Sequence, residues 1–428
     1  MDVLSEYAER WMFSVNCRKS AVMVYGGLQS HPARNWWLGG ALVAERSSYR
    51  YLGVILQADG SFSEQVEDLL KRGRMRLGVL KHRFLRGGRL PGQLARQLTM
   101  AHMFGILEYG AAVWCCQLPV TAGQLDALWN KACRAVVGAH RYTAAAAVLG
   151  DLELLPLHIR RAVLVANLYY KVASAPSGSI LAEVFRARRR QFLGSARLPL
   201  QFMWLEQVES ALQVLGLSAY FLDLEEDRSL EQHLPRETWK AKVALGAKTA
   251  MRTWWAAEVV RHAPYMAVLQ RACPDGPRRQ RYTESRAGRW KGFLAMLRAG
   301  ALPLRQCAPA SRFARFDRAS ADERCRLCSL DEDESLVHFL FQCPSLAPLR
   351  RLADPLWARL SPDLDGIARV LSGFSGTPHG FLRMTQCWHR MWLFRNDCLK
   401  LEPLSFGIRW PGLAQPSVPV ASAARSVA

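Results

Sequence analysis

From Phe62 onward, apolar residues recur at intervals of three and four, with little strand signal, and this periodicity restricts the fold more than any other feature. Val66, Leu69, Leu70, Leu77, Leu80 and Phe84 can share one helical face, which the breakers Gly87-Gly88 and Pro91-Gly92 end. Leu94 to Cys116 and Ala122 to Val137 continue the pattern, and Leu154-Leu155-Pro156-Leu157 marks a turn into a helix from about His158 to Ser174. Strand-like sequence is confined to the front. Ser20 to Tyr25 is short and apolar, and Trp36 to Leu42 with Tyr49 to Gln57 suggest one hairpin, ended by Asp59-Gly60. A helix is expected across Met1 to Val15, where Leu4, Tyr7, Ala8, Trp11 and Met12 have helical spacing. The expected class is mainly α, with a small N-terminal β hairpin or sheet remnant. Half the residues are hydrophobic, so buried cores are possible and wholesale disorder is excluded. The stretch Met103 to Val120 contains Glu108, Gln117 and Pro119, and reads as a buried helix rather than a membrane span.

The sharpest chemical signal is Cys325-Arg326-Leu327-Cys328, then His338, then Cys343, a C-x2-C-x9-H-x4-C spacing. A C-x-x-C turn can point two thiolates at one metal, and a His and a Cys close behind can complete a tetrahedral Zn²⁺ site. With four ligands and none to spare, the site reads as structural. The bland alternative is four ordinary buried side chains. Asp331 to Glu334, inside the x9 gap, suit an exposed loop. Eleven cysteines, an odd number spread along the chain, are expected as reduced thiols. Cys115, Cys116 and Cys133 read as core residues, while Cys387, His389 and Cys398 form at most a weak second cluster.

Fifty-seven Lys and Arg face 36 Asp and Glu, a formal net charge of +21. Such an excess attracts a polyanion, RNA or DNA first and an acidic membrane surface second. Between Lys71 and Arg96 there is no acidic residue, and Lys71, Arg72, Arg74, Arg76, Lys81, Arg83 and Arg86 are the expected phosphate contacts. Arg278, Arg279, Arg281, Tyr282 and Trp290 form a second basic-aromatic segment, within Pro277 to Lys291, that could stack on unpaired bases. A solvated face and a core tryptophan are the alternatives. The run Arg186 to Arg190 fits a phosphate clamp, a nuclear-import signal or an exposed helix face. An intracellular location is expected, the nucleus ahead of the cytoplasm.

Polymerases hold two metal ions with carboxylates, and no Asp-Asp pair occurs in the sequence. The clusters Asp223 to Asp227 and Asp331 to Glu334 read as solvated loops. No phosphate-binding G-x-x-x-x-G-K-[ST] loop or G-x-S-x-G elbow is present. Pro362-Asp363, with Asp397 and Lys400 downstream, resembles the opening of a restriction-type nuclease motif without its closing acid-x-Lys triplet.

Several segments, in order, resemble one family, the non-LTR (LINE-type) retrotransposon reverse transcriptases. Trp11 to Tyr25, with Asn16, Lys19 and Ser20, is similar to the segment after that family's catalytic Asp-Asp loop. Trp37-Leu38-Gly39-Gly40 and Tyr51-Leu52-Gly53-Val54-Ile55-Leu56 resemble its primer-grip hairpin. Leu107-Glu108-Tyr109-Gly110, Val113-Trp114, then Leu125, Leu128, Lys131, Ala132, Arg134 and Gly138 resemble its thumb. Asp151 to Leu157, Leu297-Arg298-Ala299-Gly300, the Cys-His cluster and Phe339 to Pro344 continue into a zinc-binding tail. The resemblance implies a palm remnant and hairpin at 1–60, a thumb-like helical domain at 61–175 and a helical linker at 176–295. It then implies a zinc module at 296–350, helices at 351–410 and a disordered tail at 411–428. On this reading Met1 falls just after the catalytic aspartates. The expected function is a nucleic-acid-binding remnant, inactive alone, with Zn²⁺ as structural cofactor, RNA or DNA as partner and no membrane. The alternatives are a split polymerase subunit completed by a catalytic partner, or a decayed helical protein.

Overall fold

The computed structural model describes residues 2–25, 35–38, 40–85, 90–114, 119–193, 204–222, 234–262, 266–284, 288–302, 304, 323–351, 360–371 and 378–399. Among the described residues it is mostly helical, with strands only near the N-terminus. Arg86, Cys115, Cys116, Arg286, Lys400, the 225–227 acidic run and the 411–428 tail lie outside the described residues.

The front of the chain departs from expectation in two ways. Helix α1 spans Asp2–Arg10 only, because Met12 turns left-handed at φ 52°. The expected single hairpin is two. Strand β1 (Ala21–Val22) lies parallel to β3 (Ala41–Glu45), which pairs antiparallel with β2 (Trp36–Leu38) through Gly40 at φ 74°. Strands β4 (Ser48–Tyr51) and β5 (Val54–Gln57) form a separate hairpin, with Tyr51 opposite Val54. Each expected strand carried its own turn, and Leu52-Gly53, at φ 46° and 83°, has the two consecutive positive φ values that suit a tight hairpin turn.

Helix α2 (Ser63–Val79) follows, and Gln57 at the end of β5 supplies its missing cap: the Gln57 side-chain oxygen accepts from the Glu64 backbone N–H at 2.9 Å. Buried Gln65 reaches back to accept from Ile55 N–H at 2.9 Å. These two bonds fix the hairpin on the helix. A π-helical segment (Leu80–Leu85) ends this arm. Helix α3 (Gly92–Leu107) stops well short of Cys116, since Gly110 adopts φ 66° and closes the turn. Helices α4 (Pro119–Val137), α5 (Ala145–Leu152) and α6 (Leu157–Ala173) complete the first helical layer.

Helices α7 (Ile180–Leu193), α8 (Trp204–Val214), α9 (Ala219–Leu222) and α10 (Arg236–Arg261) pack back toward α6. Tyr169 and Tyr170 of α6 meet Trp239 of α10, the Tyr170 ring stacked at 5.4 Å, and both hydroxyls donate to backbone carbonyls of Tyr220 and Leu234. Helices α11 (Ala267–Ala272), α12 (Gly288–Arg298), α13 (Ala347–Arg351), α14 (Leu364–Leu371) and α15 (Pro378–Cys398) carry the C-terminal half. One hydrophobic core runs from Val66 to Trp392, so the Ala175–Ser179 turn does not interrupt the packing. Among the described residues, no helix is long and apolar enough to cross a membrane.

Candidate metal centre and basic surface

The cysteine cluster begins on a tight reversal. Cys325 N–H donates to the Glu332 carbonyl at 2.7 Å, Glu334 N–H donates to the Glu323 carbonyl at 2.8 Å, and Arg324 bridges Asp333 antiparallel. Cys325 and Cys328 sit on the first arm of this reversal, and Asp331 at φ 57° closes it. Ser335 then accepts the His338 N–H at 3.0 Å and starts a helical turn. That turn is π-type over His338–Gln342, with Cys343 N–H donating to the His338 carbonyl at 2.8 Å. In an α-helix, residues five apart point in different directions. The wider π turn brings residue i+5 back toward residue i, which lets the x4 spacing aim His338 and Cys343 at one metal position. Pro344 disfavours helical backbone at Cys343, and the turn stops there.

The ligand atoms of Cys325, Cys328, His338 and Cys343 all lie within 4.8 Å of one another. Cys325 Sγ and Cys343 Sγ are 3.9 Å apart, and Cys328 Sγ is 3.4 Å from His338 Nε2. A tetrahedral ion with Zn–S bonds of about 2.3 Å needs sulfur–sulfur edges of about 3.8 Å and slightly shorter sulfur–nitrogen edges. The group can therefore hold a metal ion, and its donor set is compatible with zinc. His338 Nδ1 meets Glu332 Oε2 at 2.7 Å, leaving Nε2 for the ion. Cys325, His338 and Cys343 are buried, and Cys328 is partly exposed. The hydrogen bond between the two sulfurs holds Cys343 below the usual thiol range and pushes Cys325 up.

The acidic loop does more than face solvent, contrary to expectation. Glu334 is buried, and its carboxylate takes a forked pair of hydrogen bonds from buried Arg395 of α15. Phe339 packs edge-on against Trp392 at 6.2 Å, and Cys387 Sγ donates to the Leu349 carbonyl at 3.2 Å. These contacts seat the metal module on α15. Cys387 and His389 are both buried in α15, Cys398 is exposed, and among the described residues the grouping of Cys325, Cys328, His338 and Cys343 alone has ligand-like geometry. Asp363 caps α14, accepting Gly366 N–H at 2.7 Å. Cys133 is a core residue.

On α2, Lys71, Arg74 and Arg76 are exposed, as is Arg83 in the π-helical segment. Among the described residues none of the four pairs with a carboxylate. Arg72 differs, since it joins Asp68 at 2.6 Å, beside Arg50. Lys81 is half-buried, and burial together with nearby Lys131 lowers its pKa. Lys131 of α4 was not among the expected contacts. It was named only for the thumb resemblance, and the packing of α4 is what places it near Lys81.

The second basic segment is divided by the fold. Arg278 and Arg279 are exposed, and Arg279 pairs with Glu284 at 3.0 Å. The side chains of Arg281 and Trp290 lie outside the described residues. Tyr282 is a correction. It is buried, and its hydroxyl donates to Asp151 Oδ2 at 2.6 Å, so its ring cannot stack on a base. Lys291 is buried too, and burial lowers its pKa to about 8. Asp151 also takes a fork from Arg298, with Nε at 2.9 Å and Nη2 at 3.0 Å, while Arg298 Nη1 reaches the Leu371 carbonyl. This pair is fully buried and joins α5, α12 and α14. It also makes neighbours of the two basic segments. Gly92 lies so close to the Thr283 carbonyl that a Cβ would sit 1.4 Å from it, and Arg96 is near enough to Arg279 to feel its charge.

The hairpin and the turn after α3 also meet. Tyr109 O–H donates to the Leu52 carbonyl, and Gly110 faces Val54 where a Cβ would be 2.8 Å away. Glu108 takes a fork from Arg160, whose guanidinium lies 3.5 Å from the Phe104 ring centre.

No family model matches the chain, and no solved structure matches it. Over 154 residues, 35% of this chain, it is 28% identical to the probable RNA-directed DNA polymerase from transposon X-element of Drosophila melanogaster. The matched stretch spans 16% of that relative's length. The chain is distantly similar to a retrotransposon reverse-transcriptase-like protein.

Proposed function

We propose that the chain binds RNA or DNA as the primer-grip, thumb and zinc region of a non-LTR reverse transcriptase, and does not polymerise by itself. The observation that carries this reading is the exposed, carboxylate-free row Lys71, Arg74, Arg76 and Arg83. A solvated helix gains from mixed signs, and like charges at helical neighbours repel. A nucleic-acid backbone supplies the missing anions. The similarity to a transposon polymerase supports the partner class. Zn²⁺ would be held by Cys325, Cys328, His338 and Cys343 and would order the module that carries them. The lack of an Asp-Asp pair supports inactivity of the isolated chain.

Fluorescence anisotropy with labelled duplex and single-stranded probes, across a salt series, tests the reading. Affinity is expected to fall steeply with salt, and Arg74→Glu with Arg76→Glu is expected to weaken binding and flatten the slope. Salt-independent binding, or none, rejects it. Primer extension with Mg²⁺ or Mn²⁺ is expected to give no product, and templated extension rejects inactivity.

A second reading, completion by a catalytic palm in trans, is favoured by one observation. Trp11, Met12, Phe13, Trp37, Leu42 and Leu52 are all exposed at the N-terminal end. Large apolar side chains left exposed on neighbouring segments of the chain suit an interface. Restored extension on mixing with a separately produced reverse-transcriptase palm tests it, and no gain in activity sinks it.

A further inference from the structure

The basic surface continues onto a helix that the sequence did not single out. Helix α10 buries Trp239, Val243, Gly246, Ala247, Met251, Trp255 and Val259, which leaves Lys248 and Arg252 exposed one turn apart. Cations toward the two ends of α10 are neutralised within the helix, Lys240 by Glu237 at 2.7 Å and Arg261 by Glu258 at 2.7 Å. Among the described residues, Lys248 and Arg252 have no carboxylate partner.

Arg252 borders the 276–279 turn. Gly276, at φ 99°, runs alongside it, and a Cβ there would be 3.7 Å from Arg252 Cγ. Pro277 and Trp255 press together on Gly150. The turn is not loose. Gln280 N–H donates to the Asp151 carbonyl at 2.9 Å, and Tyr282 O–H donates to the Asp151 carboxylate. Arg278 therefore projects from a backbone held by the buried Asp151–Arg298 pair. Arg279 is next in the chain, and Arg96 lies near enough to feel its charge. The acids nearby are Asp275, Glu284, which takes Arg279, and Glu153, whose carbonyl accepts from Arg96.

Cations brought close repel, and among the described residues no carboxylate pairs with Lys248, Arg252 or Arg278. We infer that Lys248, Arg252, Arg278, Arg279 and Arg96 form a continuous strip that takes a nucleic-acid phosphate backbone and links the α2–α3 surface to α10. The inference rests on the nucleic-acid reading above. It adds α10 as a contact element, through side chains that are individually unremarkable in sequence.

The test uses the full chain, with a labelled mixed-sequence DNA duplex and an RNA single strand of equal length. Lys248→Glu with Arg252→Glu is expected to weaken duplex binding at least tenfold. The slope of log affinity against log salt should become shallower by about two, for two lost phosphate contacts. Lys240→Glu with Arg261→Glu, on the same helix, is the control and should change affinity less than threefold. Lys248→Gln with Arg252→Gln repeats the test should the reversed pair lose the native circular-dichroism melt. An unaltered slope in the α10 variant, with the parent chain still binding, overturns the strip while the nucleic-acid reading survives. Equal loss in the control also overturns it, because the charge then acts diffusely. Failure of the parent chain to bind either probe overturns both.

Discussion

His338 shows how much of the candidate metal centre would depend on a residue that is not one of its four donors. Its Nδ1 is held by Glu332, whose own carbonyl accepts the Cys325 N–H. One residue thus orients two ligands. Glu332→Ala is expected to lower Zn²⁺ affinity by about 10- to 100-fold, measured by competition with a chromophoric chelator. An unchanged affinity would show that the backbone bonds suffice. His389 offers a different test. It is buried against the edge of Phe293, and burial lowers its pKa to about 4. An unfolded histidine takes its proton near about pH 6.5, so between those values the unfolded chain binds a proton that the folded chain refuses. Its contribution is therefore intact above about pH 6.5 and is lost as pH falls toward 4, by about 3 kcal/mol in all. In urea melts between pH 7 and 4.5, His389→Gln is expected to show a flatter decline than the parent.

The elements are joined by contacts too close for any other residue. Gly92 opens α3 directly on the Thr283 carbonyl, and this contact brings Arg96 beside Arg279. Gly92→Ala should cost about 1–3 kcal/mol despite alanine's better helix propensity, because the obstacle is backbone and cannot rotate away. Equilibrium urea unfolding checks it. A stabilised variant would mean that the two segments do not touch. Helix α2 was legible from its apolar spacing, yet its cap was not. Gln57 lies outside the helix, on strand β5 of the preceding hairpin.

For the whole molecule, the Cys-His segment is seated by the buried Glu334–Arg395 pair, and helices α5, α12 and α14 are joined by Asp151–Arg298. Removing one member of such a pair leaves an uncompensated buried charge, which is why the two pairs act as anchors. Metal removal should be felt locally first. With a strong chelator, hydrogen exchange is expected to rise at 323–351 and in the last turns of α15, while α2 to α6 keep their protection. Uniform loss across the chain would show that the metal supports the entire core.

Some of this was written in local sequence. The period of the apolar residues made the chain helical, because a helix of that pattern can bury only one stripe. Cys-x-x-Cys with a trailing His and Cys named the four side chains that the fold brings within 4.8 Å of one another, because thiolate and imidazole donors have few other reasons to recur so closely. What sequence could not carry was which distant groups would meet. Asp151 and Arg298 are 147 residues apart, and Tyr282 read as a surface aromatic until Asp151 took its hydroxyl into the core. Nothing in the local sequence singled out Lys248 and Arg252, and only the fold packs the Gly276 turn against Arg252. Local pattern sets secondary structure because it depends on neighbours within a turn or two. Charge neighbourhood depends on packing between elements, and only the tertiary fold decides it.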